Sequence, residues 1–250
     1  MKFDFSGKSV LTVMLQCSSP EIAIGRIRNA NALGAEAYGL QVESLKREFQ
    51  TDETYKRIVS EAGGRPVYAT CYRYCENEGR SDGELAEEIL SLADSGISLC
   101  DVMGDLFDPR PDQMATDESA IKRQTELIDG IHKRGAEVLM SAHVMKFLNS
   151  DGVLKIALEQ RRRGADVIKI VTAAENAEEE LENLKTTLLL KKELDCPFLF
   201  LSVGECSIHR RIGGKLGNSL TLCVYEHDAF STPSQPLLKI AKAVRDDMGF

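Results

Sequence analysis

Residues 137–171 read EVLMSAHVMKFLNSDGVLKIALEQRRRGADVIKIV and contain one complete strand–helix–strand unit. The run at 137–141 is short and apolar, as a buried strand is. Residues 151–163 are amphipathic and close on Arg161, Arg162 and Arg163, cations that favour the negative end of a helix dipole. Gly164 then stops the helix. Residues 167–171, Val-Ile-Lys-Ile-Val, form a second apolar run with Lys169 at its centre.

The same unit recurs outward in both directions. Apolar runs lie at 9–14, 37–41, 66–70, 99–102, 137–141, 167–171, 198–202 and 220–224. Amphipathic stretches follow them at 20–33, 52–62, 82–95, 117–134, 151–163, 177–193, 208–216 and 235–248. Ser19 ahead of Pro20 reads as a helix cap, Asp82 and Asp117 are expected to cap theirs, and Gly34, Gly63 and Gly135 end helices as Gly164 does. Eight β-then-α units without a linker or a break in composition predict an α/β fold: one closed (β/α)8 TIM barrel, a single domain over residues 1–250. A doubly wound open sheet is the competing architecture. It has no reason to stop at eight strands, and both the G-x-G-x-x-G fingerprint and a Walker A loop are absent.

Composition narrows the function. Of 250 residues 43% are hydrophobic and 28% charged, the balance of a globular protein able to bury its own core. The net charge of −8 argues against nucleic acid as a partner, which demands clustered positive charge. Seven scattered cysteines with no C-x-x-C pair suggest neither a disulfide framework nor structural zinc. The opening MKFDFSGKSV lacks the long apolar run of a signal peptide or membrane helix. The expectation is a reduced cytoplasmic protein with no membrane partner and no cofactor.

In such a barrel chemistry sits at the carboxyl ends of the strands. That rule selects Gln41 and Glu43 after strand 2, Arg73 and Glu78 after strand 3, Asp105 after strand 4, His143 after strand 5, Lys169 within strand 6 and Ser202 at the end of strand 7. A lysine inside an apolar strand is costly, because burial disfavours its charged form; a neutral amine in a dry site is a Schiff-base nucleophile. The bland reading of Lys169 is a salt bridge to an interior carboxylate. His143, on the adjacent strand, suits proton transfer beside an imine. His132, His209 and His227 read as surface residues. Asp101, Asp105 and Asp108 do not make a metal site, since alternation splits them between faces and a loop; Asp105 is expected to orient Lys169 or His143.

The stretches Leu139-Met-Ser-Ala-His143 and Gly164-Ala-Asp-Val-Ile-Lys-Ile170 resemble the type I 3-dehydroquinate dehydratases, where a strand ending Ser-x-His precedes Gly-Ala-Asp-x-x-Lys. The resemblance continues, in order, through Phe200-Leu-Ser202, Arg210-Arg-Ile-Gly-Gly214 and Ser231-Thr-Pro-Ser-Gln235. It implies a lyase that forms an imine between Lys169 and a ring ketone, with His143 as the acid/base that helps a β-hydroxyl leave as water. Arg211 matches the arginine that holds the substrate carboxylate, Arg73 the second binding arginine, Gln235 the glutamine of a closing loop, and Ser231 lies on that loop. The implied partner is a small carboxylated cyclic ketone, 3-dehydroquinate the best named one, with a homodimer as the implied assembly.

The match departs from the family in places. Where the family carries Glu-x-Arg-x-Asp after strand 2, this chain has Gly39-Leu-Gln-Val-Glu43, with Gly39 and Gln41 in place of the glutamate and arginine that touch substrate hydroxyls. Leu201 and Val203 replace two methionines, and Glu78 aligns only across a one-residue insertion. A divergent member with an altered hydroxyl-reading wall is expected. Two other readings compete. A class I aldolase would need a phosphate site, for which Gly213, Gly214 and Gly217 are available. A silent metabolite sensor would usually have lost the lysine or the histidine.

Overall fold

Nearly every residue of every strand is buried, on both faces, which a closed barrel under a helical jacket explains. The computed structural model describes residues 2–205 and 208–250. Eight strands alternate with eight helices: β1 (Val10–Leu15), α1 (Pro20–Ala32), β2 (Ala37–Gln41), α2 (Asp52–Glu61), β3 (Val67–Thr70), α3 (Asp82–Asp94), β4 (Leu99–Met103), α4 (Glu118–Lys133), β5 (Glu137–His143), α5 (Ser150–Arg162), β6 (Val167–Ala174), α6 (Ala177–Glu193), β7 (Phe198–Gly204), α7 (His209–Leu216), β8 (Leu220–Cys223) and α8 (Leu238–Met248). The strands pair in parallel in the order β7-β6-β5-β4-β3-β2-β1-β8, a nearly closed (β/α)8 barrel. No helix among the described residues is long and apolar enough to cross a membrane.

Period-two alternation sorts the side chains into two cores. Met14, Tyr68, Leu99, Leu139, Val171 and Leu199 fill the barrel, while Leu11, Leu40, Val102, Met140 and Ile170 pack outward under the helices. The seam between β7 and β8 is closed largely by side chains. Asn218 accepts from Phe200 N–H at 2.9 Å and donates to Phe200 C=O at 2.8 Å, imitating a strand partner. Ser219 N–H bonds to Phe198 C=O at 2.8 Å, and its hydroxyl accepts from Phe198 N–H.

Three local expectations change. α3 is capped by Ser81 in a reciprocal box with Glu84, and Asp82, one residue inside, turns its carboxylate to Arg73 instead. The last helix begins at Leu238 rather than 235, because a residue before proline avoids the helical region and Gln235 precedes Pro236. The chain there stays extended, bridging Val224 and Leu237. Arg163 closes α5 as expected but is buried, donating to the carbonyls of Gly104 and Ala115 and to the side chains of Gln124 and Glu159. It ties α5 to the β4–α4 connection.

Candidate active site

Ser141 and Lys169 are register partners on β5 and β6, and both point into the barrel. Lys169 is 4% exposed, and its three N–H groups each find an acceptor. Nζ donates to the Tyr72 hydroxyl at 2.7 Å, to the Tyr68 hydroxyl at 2.9 Å and to Asp101 Oδ2 at 3.3 Å. The Asp101 carboxylate is buried yet well supplied with donors: Ser141 O–H reaches Oδ1 at 2.5 Å, and the Tyr72 and Tyr68 hydroxyls both donate to Oδ2. Burial pulls the Lys169 pKa below that of an ordinary lysine, against the opposing pull of Asp101 and Glu43. Burial next to the Asp101 charge holds both tyrosines well above the ordinary phenol range.

His143 ends β5 beside this cluster, its ring meeting that of Tyr72 edge-on at 5.0 Å. Burial, then the charges of Lys169 and Arg210, hold its pKa well below that of a free imidazole, so it is a neutral base at rest. Lys169 thus meets an interior carboxylate, as its bland reading required, and also the environment a nucleophilic amine needs. The carboxylate is Asp101. Asp105, expected to orient Lys169 or His143, is instead committed to Arg73 and to Arg110 N–H.

The other candidates separate into those at the barrel mouth and those outside it. Arg211 is exposed, whereas Arg210 is 9% exposed, donates from Nε to Ser202 C=O at 2.8 Å, and projects its charge onto both Lys169 and His143. One residue is 100° of helix, enough to turn one arginine inward and its neighbour out. Arg73 is gripped by Asp82 through two bonds at 2.7 and 2.9 Å and by Asp105 at 2.8 Å. Glu78 lies on the exposed surface just past a 3-10 turn at Cys75–Asn77, while Glu43 is fully buried. Glu43 accepts from Thr70 O–H, Tyr72 N–H and Tyr74 O–H, and burial raises its pKa.

Gln41 tops the inward face of β2, half-buried. Below it, Gly39 has no room for a side chain: a Cβ there would lie 2.3 Å from Met14 Sδ and 3.2 Å from the Tyr68 ring. Gln235 is buried, and its Oε1 meets no donor among the described residues. Ser231 bonds through its hydroxyl to both main-chain groups of Asp228, shaping the turn, and the loop is pinned by Gln16 to Thr232 and by Arg26 to Asp228.

Two expectations fall here. His209 is not a surface residue: it is completely buried, between Ser202 Oγ at 2.6 Å and Thr187 Oγ1 at 2.9 Å. Ser202 therefore faces the helices, not the barrel. Thr187 donates to Asn183 C=O, so it accepts from His209 Nε2–H, and in the neutral ring Nδ1 then accepts from Ser202, which also accepts from Asn183. Burial lowers the His209 pKa to about 3, so the imidazole is neutral near pH 7. Two of the three glycines available to an aldolase phosphate are covered: a Cβ on Gly213 would meet Asn218 at 2.5 Å, and on Gly214 the Phe250 ring at 2.5 Å. Among the described residues no group of three or more His, Cys, Asp or Glu could hold a metal ion.

The sequence patterns single out Lys169 and His143, leave Arg210 and Asp101 without an assigned role, and pass over Tyr68 and Tyr72. Alternation was the available signal. Counting in twos from Leu99 turns Asp101 inward, and from Leu139 it turns Ser141 and His143 inward.

Lysine, carboxylate, tyrosines and histidine converging at strand ends define a (β/α)8 barrel of the enzyme kind, its polar centre on the carboxyl face. Residues 11–247 match the model of the Type I 3-dehydroquinase family, and the chain belongs to that family. A 3-dehydroquinate dehydratase of Alkaliphilus oremlandii is 31% identical over 98 residues, an alignment spanning 38% of this chain and 38% of that protein. The fold is similar to that of the type I 3-dehydroquinate dehydratase of Clostridium difficile, solved with covalently modified comenic acid, at TM-score 0.81 and 18% identity over 97% of this chain and 93% of that one. The Geobacillus kaustophilus enzyme is comparable, at TM-score 0.80 and 17% identity over 97% and 91%.

Proposed function

We propose that the chain is a dehydratase, a carbon–oxygen lyase that removes water from 3-dehydroquinate or a related carboxylated cyclic ketone through an imine on Lys169. One observation carries the reading: a buried lysine on the carboxyl side of the barrel, its pKa drawn down by burial, with a neutral histidine on the next strand. Lys169 condenses with the ring ketone and releases water. The iminium draws electrons from the neighbouring carbon, and neutral His143 takes a proton from it. The imidazolium then returns that proton to the β-hydroxyl, which departs as a second water. Hydrolysis of the imine frees the product.

Arg210, turned toward Lys169 and His143, holds the substrate carboxylate in place of Arg211. Gln235 closes the mouth with an unpaired carbonyl oxygen that a substrate hydroxyl can satisfy. Arg73 and Glu78 stay outside the substrate's reach. At Gly39, Met14 and Tyr68 occupy the space of the family's glutamate, so the wall that reads ring hydroxyls is replaced by apolar and phenolic surface. Such a wall tolerates substrates lacking a hydroxyl, because it holds no buried partner that their absence would orphan.

Borohydride reduction tests the reading, with 3-dehydroquinate and with carboxylated ring ketones lacking one hydroxyl, followed by peptide mapping. A single adduct on Lys169, absent in Lys169→Ala, is expected, and His143→Ala should trap normally while turning over at least roughly a hundredfold more slowly. An adduct on another lysine, or full activity in Lys169→Ala, would refute the mechanism. Efficiency confined to 3-dehydroquinate would refute the altered specificity.

A further inference from the structure

A fully bonded ammonium is no nucleophile. Lys169 must lose a proton before it can attack a carbonyl, and all three of its N–H groups end on Tyr68, Tyr72 and Asp101. His143 is poorly suited to take that proton: it meets the Tyr72 ring edge-on, and it is needed for the substrate's carbon-bound proton. The carboxylate in reach is Asp101, whose direct contact is the longest of the three at 3.3 Å. Two shorter bonds run through Tyr72, at 2.7 Å from Lys169 Nζ and 2.5 Å on to Asp101 Oδ2. Tyr68 makes the same pair of contacts from deeper in the barrel, completely buried inside β3, while Tyr72 lies beyond the end of that strand on the His143 side.

We propose that Tyr72 is a catalytic residue, a proton carrier between Lys169 and Asp101 that frees the amine for imine formation and then protonates the departing carbinolamine oxygen. The proposal rests on Lys169 being the imine-forming residue. In the first step a Lys169 N–H bond breaks and its proton joins Tyr72 Oη, as the Tyr72 O–H proton passes to Asp101 Oδ2. Ammonium and carboxylate become amine and carboxylic acid, and the phenol is regenerated. The amine nitrogen attacks the carbonyl carbon, and a proton moves from nitrogen to oxygen to give the neutral carbinolamine. Asp101 then returns its proton through Tyr72 to the carbinolamine hydroxyl. The C–O bond breaks, water leaves, and the iminium cation faces a carboxylate again.

Burial assists the first step, because enclosure disfavours the charged form of Lys169. The charged and titratable groups facing Lys169 are Tyr68 and Tyr72 beside β3, Asp101 on β4, His143 on β5, Glu43 after β2 and Arg210 on α7. Tyr72 touches Lys169, Asp101 and the His143 ring together.

The test is the single-turnover rate of borohydride-trappable imine with 3-dehydroquinate, followed against pH in the wild type, Tyr72→Phe, Tyr68→Phe and Asp101→Asn, with thermal melts as folding controls. Tyr72→Phe keeps the ring and its packing. Its imine should still form on Lys169, but the plateau of the rate, at the pH where the Lys169–Asp101 pair still holds one proton, should fall about a hundredfold, the usual worth of a positioned acid/base group. Tyr68→Phe should lose less than tenfold. A purely electrostatic or structural Tyr72 would shift the midpoint of the profile and leave the plateau in place, and that result would overturn the relay. Wild-type plateaus in both Tyr72→Phe and Asp101→Asn would do the same. Trapping on Lys169 with an unchanged Tyr72→Phe plateau defeats the relay alone, whereas wild-type trapping away from Lys169 defeats the Schiff-base reading and the relay with it.

Discussion

Adjacent arginines illustrate how one residue of helix decides a role. Arg210 bonds to Ser202 C=O, and its charge reaches Lys169 and His143; Arg211, next along α7, is exposed. If Arg210 holds the substrate carboxylate through its two-pronged fork, Arg210→Lys keeps the charge but loses the geometry. Charge-assisted hydrogen bonds of this kind contribute about 1.5–3 kcal/mol, so affinity should drop roughly ten- to a hundredfold. Arg211→Lys should bind as the wild type does. Isothermal titration with a ring carboxylate and its amide analogue checks this, since Arg210→Lys should also erase the preference for the acid. The motif Arg210-Arg211 is visible in the sequence, but which arginine enters the barrel depends on where α7 begins relative to β7.

At the scale of elements, the barrel's weakest join is the β7–β8 seam, and Asn218 serves it with two bonds to Phe200. Asn218→Ala leaves a buried N–H and a buried C=O without partners, each costing about 1–3 kcal/mol. A loss of about 2–4 kcal/mol in urea unfolding is the expected outcome, with secondary structure retained by circular dichroism. A loss under 1 kcal/mol would mean that Ser219 holds the seam unaided. The same side chain fills the space over Gly213, which is why the glycines of α7 make packing contacts and not a phosphate cradle.

For the molecule as a whole, buried neutral histidines make stability fall in acid. Burial lowers the folded pKa of His209 to about 3, from about 6.5 in the unfolded chain. Between those values the unfolded chain binds a proton that the folded chain refuses. Its contribution is therefore complete above about pH 6.5 and is lost as pH falls toward 3. His143, also lowered, adds in the same direction, while buried Glu43, whose pKa is raised, opposes both. The difference between wild type and His209→Gln isolates one residue, because the other groups are common to both. Urea unfolding from pH 6.5 down to 4.5, below the ordinary imidazole range, should show the wild type losing up to about 1.4 kcal/mol more per pH unit than the variant. Parallel curves would mean that His209 is protonated in the folded state.

The sequence by itself determined the barrel and its two leading residues. Eight apolar runs separated by amphipathic stretches leave few other ways to bury both faces of every strand, and Ser-x-His and Gly-Ala-Asp-x-x-Lys place His143 and Lys169 on neighbouring strands. Local periodicity decides such features, so they are legible in one dimension. What surrounds Lys169 was decided only in three dimensions. Tyr68, Tyr72 and Asp101 lie 101, 97 and 68 residues from Lys169 and meet it only because the barrel closes. The burial of His209, the inward turn of Arg210 and the filling of the space beside Gly39 by Met14 and Tyr68 likewise follow from inter-strand register and helix placement. A pattern within one segment carries no information about which side chain on a distant segment will stand opposite it.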